Sequence, residues 1–128
     1  MDKDRLVSKL KHLQVRKISR DTGLGYFNIR NIIVGRKQFP EPEILNQLND
    51  YAIKVGDFLK KKNDGDPVQL RIKLNHLSIQ KVADDTGLSY ATVRNFMIGQ
   101  TFQPLDPTFK RLEEYVKEVG TELKRRCN

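Results

Sequence analysis

Arg20-Asp21-Thr22-Gly23-Leu24-Gly25-Tyr26-Phe27-Asn28-Ile29-Arg30-Asn31 returns 64 residues later as Asp84-Asp85-Thr86-Gly87-Leu88-Ser89-Tyr90-Ala91-Thr92-Val93-Arg94-Asn95. The register continues outward in both directions without an insertion. Leu6, Lys9, Leu10, His12, Leu13 and Lys17 recur as Leu70, Lys73, Leu74, His76, Leu77 and Lys81. Gly35, Pro40, Leu48, Tyr51, Val55, Gly56, Leu59 and Lys60 recur as Gly99, Pro104, Leu112, Tyr115, Val119, Gly120, Leu123 and Lys124. Aligning residues 1–64 with 65–128 gives 22 identities in 64 pairs, far above chance, so the chain is a duplicated unit. Two copies are too few for a solenoid. The expected organisation is two tandem domains, 1–63 and 64–128. Each is near the lower size limit for folding alone, so the copies should share an interface.

The quoted run has helix, turn, helix chemistry. A small residue stands where two helices would cross (Ser19, Ala83), and a glycine follows four residues later to reverse the chain (Gly23, Gly87). Leu24 and Leu88 plug the core. Ile29, Ile32 and Ile33, or Val93, Phe96 and Met97, anchor the second helix of the motif inward. Around these the spacing predicts four helical segments per copy, at about 3–12, 15–21, 25–35 and 43–61, and at their equivalents. Asp66 and Ser89 are suited to cap helices, and Pro67 suits a first helical turn. Leu45, Leu48, Ala52, Val55 and Leu59, with Phe109, Leu112, Val116, Val119 and Leu123, form apolar seams of alternating 3 and 4 spacing. Such a seam closes its own domain or packs against the other copy or another chain. Gly56 and Gly120 offer a break in each last helix, with Asp57 and Thr121 capping a short fifth one. The fold class is therefore all-α: two tandem repeats of a four- to five-helix bundle, each containing a helix-turn-helix.

The third helix of each copy leaves Tyr26, Phe27, Arg30, Asn31 and Val34, or Tyr90, Ala91, Arg94, Asn95 and Ile98, opposite its anchors. Arg reads guanine O6 and N7 in a bidentate manner, and Asn does the same to adenine N6 and N7. The bland alternative is a solvated polar face; its recurrence with Tyr four residues before each Arg argues for recognition. The net charge of +8 also suits a polyanion. It is uneven: residues 1–64 hold 14 Lys and Arg against 8 Asp and Glu (+6), whereas residues 65–128 hold 10 against 8 (+2).

Residues 79–94, Ile79-Gln80-Lys81-Val82-Ala83-Asp84-Asp85-Thr86-Gly87-Leu88-Ser89-Tyr90-Ala91-Thr92-Val93-Arg94, resemble the DNA-binding motif of lambda-type Cro and repressor proteins. They are also similar to the headpiece of lactose-repressor-type regulators. The resemblance covers about 50 residues of each copy. It implies that the third helix reads bases and that Gln14, Lys17, Arg36, Ser78, Lys81 and Gln100 grip phosphates. With Gly25, Asn28, Lys37, Ser89 and Thr92 flanking the reading residues, these complete the candidate DNA-binding set. The chain departs from the family in lacking a ligand-binding domain, a protease-like tail and a hinge. Copy one lacks the Ser cap, and Asp84-Asp85 replaces Arg20-Asp21 in copy two.

The implied function is sequence-specific binding of double-stranded DNA by two recognition helices, as a transcriptional regulator or repressor. Phages and mobile elements are the implied origin, and the implied location is cytoplasmic and nucleoid-associated, in a bacterium or infected host. The alternative is a protein-interaction module with one DNA-binding head and a partner-binding second repeat. Homodimerisation through the C-terminal helices is a further expectation. No cofactor, metal site or enzymatic centre is expected. His12 and His76 stand apart from other ligating residues, and no phosphate-binding glycine loop or nucleophile motif occurs. The single Cys127 has no internal partner, which suits a reducing compartment. No apolar run approaches the roughly 20 residues needed to span a bilayer.

Overall fold

A computed structural model describes residues 3–36, 41–62, 65–100 and 106–125. The described residues hold eight α-helices: α1 (Lys3–Leu10), α2 (Val15–Thr22), α3 (Tyr26–Ile33), α4 (Pro42–Leu59), α5 (Pro67–Leu74), α6 (Ile79–Thr86), α7 (Tyr90–Met97) and α8 (Asp106–Lys124). No strand occurs among them. None of these helices is long and apolar enough to cross a membrane. The protein is all-α, and the order of four helices in residues 3–59 repeats in residues 67–124.

Local chemistry explains most boundaries. The Asp66 side chain accepts from Val68 N at 3.0 Å, and Pro67 opens α5, where its missing N–H costs nothing. Ser78 and Ser89 cap α6 and α7 by accepting from Lys81 N and Thr92 N. Helix α2 ends at Gly23 (φ 78°) and α6 at Gly87 (φ 77°), a left-handed conformation that strains any residue with a Cβ. The first helix is shorter than the expected 3–12: it stops at Leu10. Residues 11–13 turn instead to bring Leu13 beside Leu77 in an isolated antiparallel bridge. Gln14 N donates to His76 O, and Ser78 N donates to His12 O, both at 2.9 Å. This exchange joins equivalent loops of the two halves about a local pseudo-twofold axis.

The most extensive helix–helix contact is between α4 and α8. Here the structure corrects the expectation of a break at Gly56 and Gly120. Both helices run straight through, and Asp57 and Thr121 cap nothing. The glycines mark the crossing of the two helices. A Cβ on Gly56 would lie 2.9 Å from the Gly120 carbonyl oxygen, and one on Gly120 would lie 3.1 Å from the Gly56 oxygen. Two backbones approach that closely only where neither carries a side chain. Leu59 and Leu123 flank the crossing and are fully buried, with Val55 and Val119 nearly so. The seam is thus used within the chain, half against half. All the buried apolar residues of both halves belong to one cluster. Removing each such side chain from water stabilises the fold by about 1.5–3 kcal/mol.

Two buried lysines tie the halves further. Lys9 on α1 donates to the Arg125 carbonyl at the end of α8, and to Asn49 Oδ1 at 3.4 Å. Its equivalent, Lys73 on α5, donates to the Lys61 carbonyl just past α4. Each ammonium therefore sits at the negative carboxyl end of the other half's long helix. There it meets carbonyls that have no helical partner.

Candidate nucleic-acid interface

The turn between α2 and α3 is held from both sides. Ser19 Oγ donates to the Leu24 carbonyl at 2.6 Å, and Thr22 Oγ1 donates to the Ile18 carbonyl at 2.7 Å while accepting from Leu24 N at 3.2 Å. In the second motif Thr86 does the same, donating to Val82 O and accepting from Leu88 N; buried Ala83 replaces Ser19. Thr22 and Thr86 thus lock the angle between paired helices. Their recurrence in the sequence was visible, but their role needed the turn geometry.

The long helices brace the same turns. Tyr51 OH donates to Asp21 Oδ2 at 2.8 Å, and Tyr115 OH donates to Asp85 Oδ2 at 2.7 Å. Desolvation opposes each carboxylate, but the tyrosine hydrogen bond and the neighbouring lysine outweigh it and hold both carboxyls below the usual value. The phenols move the opposite way, raised first by burial and then by their carboxylate partners. These repeated Tyr–Asp pairs were also not singled out by sequence, because partners 30 residues apart meet only after folding. Lys17 and Lys81, expected on phosphates, pair with Asp21 and Asp85 at 3.6 and 3.4 Å. Both remain only half-covered, so these surface pairs are weak.

Phe27 is 70% exposed and Tyr90 47% exposed, and Arg30, Arg94, Asn28, Ala91 and Thr92 are exposed beside them. Tyr26, Asn31 and Asn95 are half-buried, and Tyr26 meets the Phe27 ring edge-on at 5.4 Å. Val34 and Ile98 project from the far ends of the same helices. Gly25 and Ser89 are exposed at the opening turns. Asn28 Nδ2 lies 3.2 Å from the point where a Cβ on Gly25 would stand, close to the space that Ser89 fills in the second motif. There Ser89 Oγ bonds Thr92 Oγ1 at 2.7 Å. Arg36 and Gln100 are exposed after the turns that end the helices; Lys37 lies outside the described residues, as does Cys127.

The two motifs meet in one cleft of about 440 Å³. Gln14, Val15, Arg16 and Tyr26 line it from the first half, with Leu13; Ser78, Ile79, Gln80 and Tyr90 line it from the second. Each residue from 14 to 16 faces its own repeat equivalent, and no carboxylate lines the cleft. Helices α2, α3, α6 and α7 all begin at its walls, so their positive amino ends converge there.

His12 and His76 bridge the halves rather than simply ending helices. His12 Nδ1 lies 3.5 Å from Tyr115 OH and 3.9 Å from Asp85 Oδ2, both in the other half. At that distance Asp85 would attract an imidazolium, yet burial first and the Lys81 ammonium second push His12 below its usual pKa. His76 packs edge-on against Phe58 at 5.4 Å, its Nδ1 buried without a hydrogen-bond partner. Burial and Lys17 lower its pKa too. Both rings are therefore neutral in the fold at pH 7, and unfolding frees them to bind protons. Their stabilising contribution is complete above the unfolded value near 6.5. It is lost as pH falls through the lower folded values. Thermal melts are expected to shift down between about pH 7.5 and pH 5. The carboxylates Asp21 and Asp85 stay ionised over that window, because their pKa values lie below 3.8. The pair His12→Gln and His76→Gln should flatten the dependence; an unchanged slope would assign it to other groups.

Among the described residues no group of three or more His, Cys, Asp and Glu could hold a metal ion. No protein family profile, curated protein or solved structure matches the chain.

Proposed function

We propose that this protein binds double-stranded DNA sequence-specifically through α3 and α7, acting as a transcriptional regulator that occupies its operator. One observation carries the reading: two copies of a Tyr-x-x-x-Arg-Asn face stand exposed on helices that begin at a single carboxylate-free cleft. Phe27, Val34, Tyr90 and Ile98 are exposed apolar groups on these helices, where nothing in the fold needs them. Contact with thymine methyls and sugar edges would use them. The similarity to lambda-type Cro and repressor proteins supports the same assignment. Because α4 and α8 already pair within the chain, one polypeptide supplies both heads. The second head then binds at high effective concentration once the first is seated.

The test is titration of random-sequence and selected duplexes at several salt concentrations. Each phosphate neutralised should contribute about −0.9 to the slope of log K against log salt. A slope near zero, or no duplex binding at low salt, removes DNA from the account.

A second reading, partner binding by the second half, draws on Val68 and Ile72. They are 45% and 42% exposed on α5, where the first half has Asp4 and Ser8. The same titration separates the two, since a module devoted to protein partners would leave duplex DNA unbound.

A further inference from the structure

We infer that the DNA site is an imperfect palindrome whose outer base pairs are symmetric and whose central base pairs are not. This rests on the DNA-binding reading above and adds the form of sequence recognised. Tyr26 and Tyr90 are the first residues of α3 and α7, and both line the shared cleft. The amino ends of the two helices therefore face each other across the pseudo-twofold axis, and their carboxyl ends point away. At 1.5 Å per residue, Arg30 lies about 6 Å and Val34 about 12 Å farther from the axis than Tyr26. Residues 27 and 28 would face central base pairs, and residues 30 and 31 would face outer ones.

The two halves differ in just the inner set. The outer readers are identical, Arg30-Asn31 and Arg94-Asn95, so they select the same bases in inverted orientation. The inner readers are Phe27-Asn28 in one half and Ala91-Thr92 in the other. A bulky ring with an amide and a methyl with a hydroxyl cannot make the same contacts. All four are exposed, so the difference is presented to solvent rather than absorbed by packing. A homodimer is bound to a symmetric site by its own symmetry. Here both heads are on one chain, so each half-site can be read by different residues and the protein acquires a fixed polarity on its operator.

The experiment is selection of bound duplexes from a random pool by the full-length protein and by the double variant Phe27→Ala, Asn28→Thr. The wild type is expected to enrich an inverted repeat at outer positions with unlike central base pairs. Two symmetrised duplexes, each carrying one type of centre twice, should bind the wild type about tenfold or more weakly than the selected site, in line with the usual cost of a mismatched base pair. The double variant should instead prefer the duplex carrying the second half's centre twice. A wild-type consensus that is symmetric throughout, that is asymmetric only at outer positions, or that spans a single half-site overturns the inference while leaving DNA binding standing. Failure to enrich any duplex overturns the DNA reading itself.

Discussion

Leu59→Asp together with Leu123→Asp is expected to unfold the paired halves or leave them marginal at room temperature. Both leucines are fully buried beside the Gly56–Gly120 crossing. Each substitution removes an apolar side chain and puts a carboxyl where the backbones are too close to admit water. An unpaired buried charge costs several kcal/mol, and a group that protonates to avoid it still lacks a hydrogen-bond partner. Two such costs approach the whole stability of a small protein, about 5–15 kcal/mol. Circular dichroism during urea and thermal unfolding reads the effect directly. Leu59→Met with Leu123→Met conserves volume and polarity and should cost less than about 1.5 kcal/mol per site. If the aspartate pair melted within a few degrees of wild type, the crossing would not be a packed core. If DNA binding at a single half-site survived while binding to the full site fell, the seam would chiefly set the position of one head against the other.

Arg30→Ala should weaken DNA affinity by about 1–3 kcal/mol, roughly 5- to 150-fold, and Arg94→Ala by a smaller amount in the same range. Both guanidinium groups are exposed on the reading helices, so their removal leaves the core intact. The ranking follows from the surroundings. Arg16, Arg20 and Arg36 in the first half become Gln80, Asp84 and Gln100 in the second. The first head is therefore held in register by more cationic contacts, and a lost base contact there has less freedom to be replaced by shifting. Titration of both variants on one duplex at fixed salt decides the order. Equal losses, or a larger loss at Arg94, would overturn the ranking, and no loss at either would remove arginine from base reading.

Several features of the fold follow from local sequence. The duplication, the turn glycines Gly23 and Gly87, the Asp66 and Ser89 caps and the apolar anchors of α3 and α7 each act within a few residues. Their effect is set by backbone conformation and helical spacing, which a single chain segment already contains. The exposed Tyr, Arg and Asn set is legible for the same reason: once the anchors are placed, the opposite face of the helix is determined. The seam of α4 and α8 was legible as an apolar stripe, whereas its partner was not.

What only tertiary structure decided are relations between distant residues. Gly56 and Gly120 look like helix breaks in sequence, because glycine weakens an isolated helix. They are tolerated inside α4 and α8 because the contact they permit between backbones outweighs that local preference. Lys9 and Lys73 look like solvated helix charges until the carboxyl ends of the opposite long helices are brought over them. Tyr51 and Tyr115 acquire Asp21 and Asp85 only when the long helices fold back. The shared cleft arises because the Leu13–Leu77 bridge sets the two motifs amino end to amino end. A repeat in sequence specifies two like units; their relative orientation depends on side chains that meet across the pseudo-twofold axis, far apart in the chain.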